Sequence, residues 1–264
     1  MDEFLKNNRS MWDEMAEIHR ESYKEIKAVL SGKSVIKDDE KKELGNVKGK
    51  DLLHIQCHIG TDSISLAYEG ANVTGTDFSP KSIEIARGFA EETGTDIRFI
   101  VSDNRELTEK IDRTYDIVYM TRGVLCWNSD LFKLFQDISQ LLKPGGFLYV
   151  RDTHPVMMTL DENDPSIKIT MDYFHSDTPV KWDDNVDYSS EGRKLSYPSY
   201  EWIWSVSDII NAASNAGLRI DFFNEFDYTF YKTTGFMKLN NRGFWYIPGL
   251  KNKFPLMFSM KAIK

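Results

Sequence analysis

Residues 51–67, DLLHIQCHIGTDSISLA, gather His54, Cys57 and His58 into five positions just ahead of a lone glycine, Gly60. Histidines and a thiol are metal-ligating types, whereas a glycine that closes a strand belongs to loops that let backbone approach a cofactor. On a helix His54 and His58 would share a face. The segment reads instead as a strand running into a turn, on which His54 and Gln56 point one way and Leu53, Ile55 and Cys57 the other. With no further carboxylate or Cys/His cluster to complete four ligands, no metal is expected. For a cofactor loop the order is right: strand, tight turn at Gly60, then a helix from Thr61 or Asp62. A dinucleotide pyrophosphate would want hydrogen where Gln56 and His58 carry side chains, so a nicotinamide or flavin dinucleotide is disfavoured.

Other polar residues recur at the same structural position. Asp77, followed by Phe78, ends the strand-like NVTGTD; Asp103 and Asn104 end IRFIVSD; Thr121, Arg122 and Gly123 follow DIVYM. Either aspartate alone would read as a helix cap or turn residue. Placed after consecutive strands, they mark the carboxyl edge of a doubly wound sheet, where one ligand can use them together. His154, just past the strand in VRDTHP, is the candidate general base by position and neutral-pH side chain; the competing reading is a histidine held by Asp152 or by backbone near Pro155. His19 shares the apolar stripe of a helix and reads as a core residue. His175 has only its place in a loop-like segment.

The elements that must position these residues are legible in the periodicity. Trp12, Met15, Ala16, His19, Tyr23 and Ile26 form one stripe on a helix within residues 8–30. KDDEKKELGNVKGK mixes charges and reads as a solvated linker. From residue 51 strand and helix patterns alternate, which predicts a parallel sheet covered by helices. Ser79 with Pro80 starts one helix and Gly94 ends it. Leu131, Leu134, Phe135, Ile138, Leu141 and Leu142 make another apolar face, stopped by Pro144, Gly145 and Gly146. Residues 155–204 lack periodicity yet are too long for an unstructured loop, so an insertion with structure of its own is expected. SVSDIINAASNAG follows as a helix with Ser207 as cap and Gly217 as stop, then the strands LRIDFFNEF and PLMFSMKAI. The expected organisation is a helical cap and linker, 1–47, and one α/β domain, 48–264, carrying the insertion.

Composition narrows the partners. Of the residues 41% are hydrophobic, with no apolar run of the roughly 18 residues a membrane span needs. The net charge of −8, with no basic stripe, disfavours nucleic acid. The start MDEFLKNNRSMWDEM lacks the features of a secretory signal, and two cysteines make no disulfide framework, so a cytoplasmic location with reduced thiols is expected.

LLHIQCHIGTDSISLAYEGANVTGTDFSPKSIEIAR closely resembles the first motif block of class I S-adenosylmethionine-dependent methyltransferases, in a bacterial subgroup whose loop reads L-H-L-Q-C-H-x-G. The resemblance covers residues 48–155 well and the C-terminal strands more loosely. It implies a Rossmann-like, mostly parallel seven-stranded sheet with an antiparallel C-terminal strand. S-adenosylmethionine is the implied cofactor and a small molecule the implied methyl acceptor. It places Gly60 under the methionine part with Gln56 to Ile59, His58 included, shaping that wall. Asp77 accepts from the ribose hydroxyls, Phe78 borders the adenine, Asp103 and Asn104 read its edge, and Thr121 lies by the reacting methyl. His54 and His58 replace an acidic residue and a glycine of the general motif. Since aromatic faces stabilise a nearby cation, Trp12 and Tyr23 join the expected cofactor pocket. The alternatives are a non-catalytic module that binds this cofactor or its demethylated product, and, further off, a nucleotide-dependent oxidoreductase.

Overall fold

The computed structural model describes residues 3–162, 164–183, 186–189 and 193–264. Seven strands form one sheet: β1 (Asp51–Ile55), β2 (Asn72–Asp77), β3 (Arg98–Val101), β4 (Tyr115–Thr121), β5 (Leu142–Thr153), β6 (Arg219–Phe226) and β7 (Met257–Ile263), in the spatial order β3-β2-β1-β4-β5-β7-β6. β1 to β5 pair in parallel, and β7 runs antiparallel between β5 and β6. The order reverses direction beside β1, so the ends of β1, β2 and β4 open onto one crevice.

Side-chain alternation sends successive residues of each strand to opposite faces, and both are covered. Leu53, Ile55, Val118, Met120, Leu148 and Val150 pack under α7 (Leu131–Leu141) and α8 (Val206–Asn215), while Leu52, Ile117, Tyr119 and Tyr149 form the core of the opposite face. Asp130 caps α7 by accepting from the Lys133 N–H at 2.9 Å. Ser79 caps α5 (Pro80–Thr93), with Gly94 left-handed at its end, as the sequence suggests.

Three expectations need correction. The helix read over 8–30 is two helices, α1 (Glu3–Ser22) and α2 (Lys24–Leu30), broken at Tyr23, whose backbone is extended. The charged stretch read as a solvated linker contains α3 (Asp38–Leu44). Glu40 there is 2% exposed and accepts from the Tyr119 hydroxyl, and Glu43 accepts from the Tyr149 hydroxyl at 2.6 Å. The acids of α3 satisfy phenols that the sheet buries. α8 is capped by Ser205, not Ser207, in a reciprocal box with Asp208.

The insertion has structure of its own: Val180–Trp182 pairs with Ser199–Glu201 in a short antiparallel ribbon. It is fastened to α1. The Asn8 side chain both donates to the Tyr200 carbonyl and accepts from the Tyr200 N–H, each at 2.7 Å, and the Tyr23 and Tyr188 hydroxyls meet at 2.6 Å. Among the described residues no helix is long and apolar enough to cross a membrane.

Candidate functional site

The turn after β1 is left-handed three times in five residues, at Gln56 (φ 58), His58 (φ 49) and Gly60 (φ 78), and only the last is glycine. A side chain in that region costs about 1–2 kcal/mol, so neighbours must impose it. They do: Cys57 N–H donates to Thr76 O and Gly60 N–H to Cys57 O, both at 2.9 Å, and His58 N–H donates to the Asp77 carboxylate at 2.8 Å. A Cβ on Gly60 would stand 2.9 Å from both Ala86 Cβ and the Phe99 ring. The glycine is demanded by packing of α5 and β3 beneath the turn as well as by its φ, a reason the sequence did not disclose.

His58 and His19 are hydrogen-bonded ring to ring at 2.7 Å, with Ser82 on the far nitrogen of His58 at 3.0 Å and Asp187 on the far nitrogen of His19 at 2.7 Å. The resulting chain, Ser82 to His58 to His19 to Asp187, crosses from α5 through the turn and α1 to the insertion. Burial, and then the charge of His19, push His58 well below the usual imidazole range. Tyr23 stacks on His19 with centroids 4.3 Å apart. Trp12 stands edge-on to His58 and Trp127, and its buried indole N–H has no acceptor among the described residues. His19, which reads from sequence as a core residue, is wholly buried, with both ring nitrogens engaged.

At the end of β2 the Asp77 carboxylate accepts from the Ser79 N–H at 2.9 Å as well as from His58. Burial raises its pKa to about 6 against the pull of those donors, and Asp13 on α1 adds to the rise. The next residue, Phe78, lines a cleft with Leu5, Gln56, Asp103, Asn104 and Trp127. Asn128, which sequence reasoning missed, ties its floor together: it accepts from Asn104 Nδ2 at 2.6 Å and donates to Gln56 Oε1 at 3.3 Å. Trp204 donates to its carbonyl at 3.0 Å and stacks on His175 at 3.7 Å. Asp103 holds Arg105 through its guanidinium and backbone N–H.

After β4 the chain passes through Arg122 (φ 73) and Gly123 (φ 86). Asp152 clamps this turn, its carboxylate accepting from the N–H groups of Gly123, Val124 and Leu125 at 2.7, 3.0 and 2.8 Å. It therefore does not hold His154. His154 Nδ1 accepts from the Val156 N–H at 3.2 Å, beside Pro155, and Nε2 pairs with Glu225 at 2.9 Å, so both ring nitrogens are engaged at a cap. On the insertion side, Trp202 N–H donates to Cys126 O at 2.8 Å and docks Glu201 against the same turn. Burial, and then Glu162, raise the Glu201 carboxyl to about 7. Neither Asp152 nor Glu201 carries a local sequence signature.

His54 lies elsewhere, bonded to Ser63 at 2.8 Å and edge-on to Tyr119, its pKa lowered to about 3 by burial and then by the charge of Arg122. Among the described residues no three His, Cys, Asp or Glu side chains converge on a point that could hold a metal ion.

The mostly parallel seven-stranded sheet with antiparallel β7, covered by helices on both faces, is a Rossmann-like fold. Residues 52–146 match the model of a family described as a methyltransferase domain. Ubiquinone biosynthesis O-methyltransferases from Vibrio cholerae and Photorhabdus laumondii are 37% and 34% identical over 101 and 105 residues, 38% and 40% of this chain. The match spans only 41% and 43% of those relatives' lengths. The fold extends further: an S-adenosylmethionine-dependent methyltransferase from Mesorhizobium loti superposes with a TM-score of 0.60 at 20% identity, covering 85% of this chain and 95% of that one. One from Clostridium acetobutylicum gives 0.59 at 16%, covering 96% and 98%.

Proposed function

We propose that the protein transfers a methyl group from S-adenosylmethionine to a small-molecule acceptor. The observation that carries this reading is the Asp77 carboxylate, fixed by two backbone N–H groups at the end of β2, one residue before the Phe78 that lines the cleft, where ribose hydroxyls would find their acceptor. The residues fit such a ligand: Phe78 and the Gln56, Asn104, Asn128 amides suit the purine, and the buried Trp12 N–H, without an acceptor among the described residues, suits a ribose or carboxylate oxygen. When bound, the cofactor supplies an electrophilic methyl on a cationic sulfur.

What the chain contributes is orientation and exclusion of water. α1 and the insertion cover the cleft, the Asp152 clamp holds the wall formed by residues 121–128, and aromatic faces at Trp12, Tyr23 and Tyr188 suit a cation. Residues 1–47 serve as cap and 155–204 as the acceptor side. Where the acceptor must lose a proton, Glu201 takes the role that sequence position suggested for His154. The family model ends at residue 146, ahead of the insertion, and the ubiquinone-pathway relatives are matched over less than half their length, so the acceptor named for them is not carried over.

Calorimetry with S-adenosylhomocysteine tests the reading: the wild-type chain binds it, and Asp77→Ala weakens binding at least tenfold. No uptake of either form of the cofactor refutes it. Release of S-adenosylhomocysteine during an acceptor screen separates an enzyme from a module that only binds.

A further inference from the structure

Residues 228–264 contain seven lysines and arginines and no aspartate or glutamate, in a chain whose net charge is −8, so residues 1–227 carry −15. The spacing spreads these cations, and no run of basic residues marks them in the sequence. Five of them, Lys232, Lys238, Arg242, Lys251 and Lys253, fall in one segment, which leaves the sheet after Phe226 and returns at Met257, opposite Thr153. That is the carboxyl edge of β4 and β5, where the Arg122 turn also lies. The segment packs on an apolar cluster of its own, Met237, Ile247 and Leu256 with Met157. Its antiparallel ribbon sets Lys238 opposite Tyr246 and Leu239 opposite Trp245. All five cationic residues are exposed. Arg242 pairs with Asp39 at 3.1 Å, and the nearby Asp227 accepts from the Asn252 N–H at 2.8 Å. The four lysines meet no carboxylate among the described residues; Lys232 Nζ stands 5.6 Å from the centre of the Trp245 ring. Beside Lys238, Leu239 is 56% exposed, and Trp245 and Tyr246 are half-buried.

Unpaired lysines ask for an anionic partner, and an exposed leucine among them asks for an apolar one. A nucleic-acid backbone would satisfy the lysines and leave Leu239 in water. A bilayer surface satisfies both: lipid phosphates meet the ammonium groups, while Leu239, with Trp245 and Tyr246, enters the boundary between head groups and acyl chains. The negative charge on the rest of the chain repels an anionic surface from other directions, so this segment sets the orientation of approach. Beyond a Debye length of about 8 Å at physiological salt that repulsion is screened, and contact through the segment alone is tolerated. We infer that residues 228–256 form a docking surface for an anionic lipid bilayer. Docking there turns the carboxyl edge of β4 and β5 toward the membrane. The inference stands on charge and exposure and is independent of the cofactor reading above.

The test sediments the full chain with vesicles of phosphatidylcholine alone, or of phosphatidylcholine and phosphatidylglycerol in equal parts. Two quadruple variants have the same net charge: Lys232→Gln, Lys238→Gln, Lys251→Gln and Lys253→Gln remove it from the segment, and Lys24→Gln, Lys27→Gln, Lys33→Gln and Lys42→Gln remove it from exposed positions elsewhere. Melting curves establish that both fold. The wild type is expected to bind the phosphatidylglycerol vesicles at least tenfold more tightly than the neutral ones, and to lose that preference as salt rises from about 0.05 to 0.5 M. The segment variant should lose tenfold or more, the other variant less than threefold, and Leu239→Ser threefold or more. No binding to phosphatidylglycerol vesicles, equal losses in the two quadruple variants, or full binding by Leu239→Ser overturns the inference. Tighter binding of duplex DNA than of vesicles at the same salt, lost in the segment variant, replaces the bilayer with nucleic acid. Self-association of the wild type that the segment variant abolishes, without vesicle binding, replaces it with a second copy of the chain.

Discussion

His19 and Asp187 lie 168 residues apart in the chain and meet at 2.7 Å with both side chains wholly buried. The same carboxylate accepts from the backbone and hydroxyl of Ser189, so one acid organises the insertion's approach to α1. Together with the Tyr23–Tyr188 pair, the contact fastens the insertion over α1.

Asp187→Ala should loosen α1 without unfolding the sheet. Removing one partner of a buried, hydrogen-bonded ionisable pair costs about 3–5 kcal/mol. Opening of α1 should become roughly 100- to several-thousand-fold more frequent, visible as lost hydrogen-exchange protection in residues 12–22 with strands β1 and β4 unchanged. Protection lost equally throughout would mean that α1 is part of the global fold and not a separable cover.

Gly60→Ala is expected to destabilise by about 2–4 kcal/mol, the sum of a left-handed backbone cost and an overpacked contact. Neither Ala86 Cβ nor the ring of Phe99, buried beneath the turn, can withdraw cheaply. Urea unfolding measures it; a loss under 1 kcal/mol would mean that the turn relaxes freely.

The sheet was readable because strands with both faces buried and capped helices write their pattern locally: LLHIQ, NVTGTD and the Ser79–Pro80 start each carry their own signal. Asp77 was readable for the same reason, standing at a strand end. Tyr23 shows what was not. Its spacing continues the stripe of Met15 and His19, and only the turn imposed by packing α1 and α2 separately takes it to Tyr188. The role of Glu40 depends on a phenol 79 residues away, and that of Asp152 on three N–H groups nearly 30 residues upstream. Nothing local distinguishes a carboxylate that will meet a buried donor from one that will meet water.

Asp152→Asn should separate catalysis from cofactor binding. The amide presents N–H where the carboxylate accepted, so at least one of the three turn donors is left unmatched, at about 1–3 kcal/mol. The wall at 121–128 should shift, lowering kcat at least tenfold, while S-adenosylhomocysteine affinity, anchored at Asp77, changes less than threefold. Equal losses in both would place Asp152 under the cofactor instead.

The two candidate bases make opposite predictions. If Glu201 takes the acceptor's proton, its carboxyl, raised to about 7, is protonated below that pH and idle. The rate should then climb through pH 7 and level off above it, and Glu201→Gln should lower kcat at least tenfold and remove the limb. His154→Gln should leave kcat within a factor of two, because Val156 and Glu225 already occupy its nitrogens. A collapse of kcat in His154→Gln with intact Glu201→Gln would restore the reading drawn from sequence position.

Cofactor affinity and fold stability should move in opposite directions with pH, and Asp77 is the reason. Burial, against the donors Ser79 and His58, raises its carboxyl from the usual 3.8 to about 6. Between pH 4 and 6 the folded chain holds a proton there that the unfolded chain has released, so this group's contribution to stability is greatest in acid and declines as pH rises through 6. A ribose hydroxyl needs the ionised form as its acceptor, so S-adenosylhomocysteine affinity should instead rise over the same interval and flatten above it. Calorimetry from pH 5 to 8 reads the affinity limb, and Asp77→Asn should abolish it while leaving weak binding that no longer responds to pH. An affinity independent of pH in the wild type would mean that the ribose is held by groups other than Asp77.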